Sequence, residues 1–198
     1  MRKPLWTWIL SLALVASGGL TSRALAGAPT DYVRGILNQV MALQNDAALS
    51  PQARAQAVHK IIERNFDFGL MAKDSLGPTY DRLSSGQRQE FTQTFSYLFQ
   101  DSYTRLVLNF LKKENIQYGR ELPEGDKARV DTAIVRTNEN IPVTYLMHTA
   151  PQGWVLYDVM VDGVSILQNY KTQFAQVINT KSFEFLLNKM QEQRRAIQ

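Results

Sequence analysis

The eight residues from Trp154 to Val161, WVLYDVMV, leave no side of a β-strand for water. Side chains alternate across a strand, so Trp154, Leu156, Asp158 and Met160 would share one face, and Val155, Tyr157, Val159 and Val161 the other. Val143 to Thr149 repeats the pattern more weakly, with Val143, Tyr145 and Met147 on one side and Leu146 on the other. Antiparallel sheets usually keep one face wet. A chain with these strands must either cover both faces with helices or bend its sheet around something apolar.

The rest of the chain supplies the helices. Tyr32, Val33, Ile36, Leu37, Val40 and Met41 recur at helical spacing within Pro29 to Leu43. Ser50-Pro51 opens a second helix, with serine as N-cap and proline in the first turn. Phe66 to Tyr80 is an apolar segment broken by Gly69, Gly77 and Pro78. Ser84 and Gln87 form a capping box ahead of the longest predicted helix, which runs to about Lys113. One stripe on it carries Phe91, Phe95, Leu98, Leu106 and Phe110; Phe99, Tyr103, Val107 and Leu111 widen it. Ile116 to Glu121, Lys127 to Thr137, Pro142 to Thr149 and Trp154 to Val161 then read as four strands joined by short turn-rich breaks. Asp162-Gly163 reads as a turn, and helical spacing returns from Ser165, the N-cap of the next helix, to about Gln193. Helices followed by a meander make an α+β arrangement.

The N-terminus indicates export. Met1-Arg2-Lys3, the apolar run from Leu5 to Val15 and Ala24-Leu25-Ala26 are the three parts of a signal peptide, with cleavage expected after Ala26. The apolar run is too short for a bilayer span, which needs about 20 residues. Removing it takes away Arg2, Lys3 and Arg23, leaving 19 basic against 18 acidic residues and reducing the formal charge from +4 to about +1. That balance argues against a nucleic-acid partner. There is no cysteine, so neither disulfides nor thiol chemistry are available. Residues 27–198 suffice for one domain that holds by its core alone.

Catalytic signatures are scarce. No P-loop, dinucleotide fingerprint, G-x-S-x-G or H-E-x-x-H is present, and His59 and His148 lie far apart with no metal-ligand spacing around them. No metal site and no cofactor are expected. Asp158, alone among apolar strand residues, has two readings. It either accepts hydrogen bonds that fix the strand end, or serves as a base toward an apolar substrate. The aromatic helix facing the sheet likewise admits two: ordinary core packing, or an apolar ligand cavity.

Several blocks carry a family resemblance. They are W-x-x-Y-D-V-x-V-D-G-V-S from Trp154 to Ser165 with N-Y-K-T-Q-F from Asn169 to Phe174, F-D-F-x-x-M-A-x-x-x-L-G from Phe66 to Gly77, and Q-R-x-x-F-x-x-x-F-x-x-L from Gln87 to Leu98. In order and spacing the chain resembles the MlaC, or toluene-tolerance auxiliary, family, the periplasmic phospholipid-binding component of the Mla lipid-transport system. Tyr80 departs from the pattern, standing where the family has tryptophan. The resemblance implies an NTF2-like α+β fold in which a curved antiparallel sheet of about four strands and flanking helices enclose an apolar cavity. It implies a monomeric, non-catalytic periplasmic shuttle between an outer-membrane lipoprotein complex and an inner-membrane ABC transporter with an MCE-domain subunit. The ligand is phospholipid or, as in a relative encoded with hopanoid-synthesis enzymes, a hopanoid. The expected lining is Met71, Phe95, Leu98, Phe99, Tyr103, Leu106, Tyr145, Met147, Val159, Val161 and Val164.

Overall fold

The computed structural model describes residues 28–112 and 114–197. The expected signal peptide, residues 1–26, lies outside the described residues. Five helices come first: α1 (Pro29–Asn45), α2 (Pro51–Asn65), α3 (Phe68–Leu76), α4 (Pro78–Arg82) and α5 (Ser85–Phe110). Strands β1 (Asn115–Glu124), β2 (Lys127–Val135), β3 (Asn140–Ala150), β4 (Gly153–Val161) and β5 (Val164–Ser165) follow, then α6 (Ile166–Thr180) and α7 (Phe183–Ile197).

The side chains expected to cap helices do so. Ser50 Oγ accepts from Ala53 N–H, and Ser165 Oγ from Gln168 N–H. Ser84 and Gln87 form the reciprocal capping box at the head of α5. The broken segment is two helices, because Gly77 takes φ +53 between α3 and α4 while its N–H bonds back to the Lys73 and Asp74 carbonyls. The C-terminal stretch is also two helices instead of one. It breaks at Lys181, and Ser182 Oγ accepts Phe185 N–H to start the second.

The strands pair antiparallel in the order β1-β2-β3-β4-β5. Two register shifts interrupt them, one in β1 between Tyr118 and Glu121, one in β4 at Tyr157. Such bulges bend and twist a sheet. The second also corrects the simple alternation expected for β4. Tyr145 pairs with Val159 but Met147 pairs with Leu156, so Leu156 joins the face of Val159 and Val161. That inner face continues through Val143, Tyr145 and Met147 of β3 and Val130, Thr132 and Ile134 of β2, all buried.

The outer face is partly polar. Asp131 accepts hydrogen bonds there from Arg129 and from Thr144 Oγ. Burial alone would raise its carboxyl, but those bonds and the Arg129 and Arg120 charges outweigh it and hold the group below its ordinary range. The free edge of β4 is occupied twice, by β5 beside Met160 and Val161 and by a parallel bridge from Phe66 to Leu156.

Candidate functional site

Helix α5 turns two faces to two different neighbours. Phe91 and Phe95 stack on each other and meet Phe174 of α6 edge-on; Phe91 also touches Phe183 of α7, and Phe95 touches Tyr170. This face is a filled aromatic joint between helices. Further along the helix, Tyr103, Val107 and Leu111 follow each other at intervals of four residues and look toward the sheet. Space remains there.

That space has two lobes. The outer lobe, about 40 Å³, lies between the C-terminal half of α5 and the inner sheet face, against Leu106, Phe110, Ile134, Val143, Val159 and Val161. The inner lobe, about 30 Å³, lies toward α1 and α2, against Ile36, Leu37, Val40, Ile61, Ile62, Asn65, Phe66 and Leu156. Tyr103, Val107, Leu111 and Tyr145 border both. The outer lobe is the more open of the two and is edged by half-buried Leu106, Phe110 and Val161. Apart from the two tyrosines, the inner lobe has one polar side chain, Asn65, whose amide already accepts from Tyr32 O–H and donates to the Ile61 carbonyl.

The cavity is electrically neutral. Burial pushes the Tyr103 phenol well up, and the neighbouring Tyr145 and the Asp158 carboxylate push it further. Burial likewise raises Tyr145, helped by Tyr118 and opposed by a hydrogen bond with Thr132. Neither phenol ionises near neutral pH, so no charge faces the lobes from them. Larger grooves cross the helical surface, about 600 Å³ between α1 and α2 and about 410 Å³ between α2 and α5. Their walls mix apolar side chains such as Leu43, Ala57 and Leu108 with Lys60, Glu63, Arg64, His59, Asp101 and Arg105, and both lie open on the surface, so neither encloses hydrocarbon.

Of the residues expected to line a cavity, Tyr103, Leu106, Tyr145, Val159 and Val161 meet at the outer lobe. Met71, Phe95, Leu98, Phe99 and Met147 lie in the packed core behind it. Val164 stands 62% exposed at the turn before α6, away from both lobes. Val107, Phe110, Leu111, Ile134 and Val143, with Phe66, Leu156 and the α1 and α2 residues of the inner lobe, line the space without having been expected to. Their helical and strand periodicity marked them as buried, without indicating that space would adjoin them.

Asp158 is 5% exposed and its oxygens are committed. Oδ1 accepts from Val159 N–H (2.8 Å) and Leu167 N–H (3.0 Å), and Oδ2 accepts from Ser165 Oγ (2.5 Å). It ties β4 to the first turn of α6, in the structural role of its two readings. His148 Nε2 lies 3.0 Å from Asp67 Oδ2, while Asp67 Oδ1 caps α3 through Leu70 N–H. Among the described residues no group of three or more His, Cys, Asp or Glu side chains could hold a metal ion. No described helix is long and apolar enough to cross a membrane.

Comparison with known proteins places this arrangement in a family context. The family described as MlaC protein matches residues 33–192. The chain is 21% identical over 196 residues to the intermembrane phospholipid transport system binding protein MlaC of Haemophilus influenzae, covering 93% of this chain and 92% of that one. It is 24% identical over 173 residues to the toluene tolerance protein ttg2D of Pseudomonas putida, covering 84% and 80%. A solved phospholipid-binding protein from Ralstonia solanacearum, in complex with a phospholipid, shares the fold with a TM-score of 0.74 at 21% identity, over 86% of this chain and 98% of that one.

Proposed function

The chain belongs to the MlaC family, and from that premise we propose that it is a periplasmic phospholipid carrier that holds acyl chains between α5 and the inner sheet face. The observation that supports this most directly is the pair of neutral, apolar lobes adjoining each other behind one helix. Relatives named for intermembrane phospholipid transport and toluene tolerance fit the same reading.

The lobes total about 70 Å³, about half the roughly 150 Å³ of an engineered apolar cavity that binds benzene. Lipid loading therefore requires α5 and the sheet to separate. The thermodynamic incentive is ample. A diacyl lipid with on the order of 30 methylenes would cost about 24 kcal/mol to expose to water, at about 0.8 kcal/mol each. Transfer from bilayer to protein exchanges one apolar surrounding for another, so net preference is small and direction must come from partners. An inner-membrane ABC transporter with an MCE-domain subunit and an outer-membrane lipoprotein complex are the proposed partners. The polar head stays outside, since Asn65, the one amide side chain at the inner lobe, is already hydrogen-bonded.

The test is native mass spectrometry, with lipid extraction, on full-length protein expressed with its leader and purified without detergent. A mass excess matching one phospholipid per chain is expected. A bare polypeptide mass would defeat the reading, and a polycyclic lipid in the extract would reassign the ligand to the hopanoid class.

A further inference from the structure

The same four residues border both lobes, so the lobes are neighbours that meet at a pinch made by those side chains. Tyr103, Val107 and Leu111 form one side of the pinch and Tyr145 the other. Resting on the carrier reading above, we propose that Tyr103, working against Tyr145, is a partition that limits how much acyl chain the protein accepts. A chain fills the outer lobe first and reaches the inner lobe only where this ring pair gives way.

Three features support this. The outer lobe is the more open to solvent, so a chain starts there and its methyl end points inward. Beyond the pinch the amide of Asn65 is already hydrogen-bonded, so the inner lobe suits hydrocarbon and nothing else. The two tyrosines are also held differently. Tyr145 is fixed by its place in mid-sheet, paired with Val130 of β2 on one side and Val159 of β4 on the other. Tyr103 is held by ring packing, stacked on Phe99 at 5.5 Å and edge-on to Phe66 at 5.3 Å. Tyr103 rides on α5, the element that parts from the sheet on loading, so Tyr103 is the wall that moves. Its bulk, set in the waist between the lobes, decides which chain lengths fit without leaving methylenes in water.

The experiment uses delipidated full-length mature protein equilibrated with vesicles of equimolar dimyristoyl- and distearoyl-phosphatidylglycerol, with bound lipid read by native mass spectrometry. Tyr103→Leu removes the ring but keeps an apolar side chain. It should shift the bound ratio toward the longer lipid by about fourfold for each further methylene sheltered. Tyr145→Leu, which opens the same waist from the opposite wall, should shift it in the same direction and keeps the test decisive if one variant does not fold. Tyr103→Phe retains the ring and should give the wild-type ratio. An unchanged ratio in folded Tyr103→Leu or Tyr145→Leu would overturn the partition, as would a shift in Tyr103→Phe as large as that in Tyr103→Leu. Wild-type protein that takes up neither lipid would instead sink the carrier reading itself.

Discussion

The substitution Asp158→Asn separates architecture from chemistry at the most conspicuous acid in the chain. The carboxylate accepts three hydrogen bonds, from Val159 N–H, Leu167 N–H and Ser165 Oγ, while 5% exposed. A hydrogen bond to a charged group contributes about 1.5–3 kcal/mol, against about 0.5–1.5 kcal/mol for a neutral pair. The substituted amide would keep one carbonyl acceptor but turn an N–H₂ toward Ser165, whose Oγ is already an acceptor for Gln168 N–H. Losing about 1 kcal/mol at each of three bonds gives a destabilisation of about 3 kcal/mol, and for a chain of this size that is a fall of about 6–12 °C in Tm. The protein should be delipidated before the melt, because bound ligand would raise the apparent stability of both forms. Urea unfolding at neutral pH and native mass spectrometry of the reloaded protein are the two readouts. The expected result is lower stability with normal lipid uptake per folded molecule. An unchanged Tm with altered processing of a bound apolar molecule would refute the structural role and revive a base.

Alkaline titration should show the buried phenols as a separate class. Burial pushes Tyr32 up to about 12 and raises Tyr103 and Tyr145 as well. Their folded values lie above the ordinary value of 10, so their contribution to stability is complete below pH 10 and is lost as pH rises from there toward 12. Absorbance at 295 nm should therefore lag for these residues and jump on unfolding, whereas all eight tyrosines titrating together in folded protein would contradict their burial. Ser84→Ala removes one half of the capping box on α5 and should cost about 1 kcal/mol, a Tm loss of about 2–4 °C by calorimetry; no loss would mean the helix start is held by other contacts.

Local features were the most legible in the sequence. Ser50, Ser84 with Gln87, and Ser165 announced their helices because an N-cap oxygen needs only the backbone N–H three residues further on. The Asp162-Gly163 turn, with φ of +50 and +77, is the pairing expected of a two-residue hairpin. The break at Lys181 was harder to see, since no glycine or proline marks it and the apolar spacing runs on from Val177 to Phe183; Ser182 was the available clue. The bulge at Tyr157 could not be read from β4, because it exists only in the register with β3.

The cavity was legible only in part, for a related reason. Periodicity on α5 separates buried from exposed, yet it does not tell Phe95, which meets other rings, from Val107, which meets space. Both stripes look alike until the partners are known. Tyr145, Val159 and Val161 share the inner face because their strands alternate cleanly on that side of the bulge.

The two margins of the sheet have a consequence for how copies of the protein behave toward each other. An unpaired, regular strand margin invites a second chain to add on, and repetition of that step builds fibres. At one margin the register slip between Tyr118 and Glu121, the solvent-facing Arg120 and the missing amide proton of Pro123 interrupt the row a stranger would have to match. At the other, β5 and Phe66 already occupy the places. Copies of this protein can therefore be crowded together without zipping into aggregates through their strands.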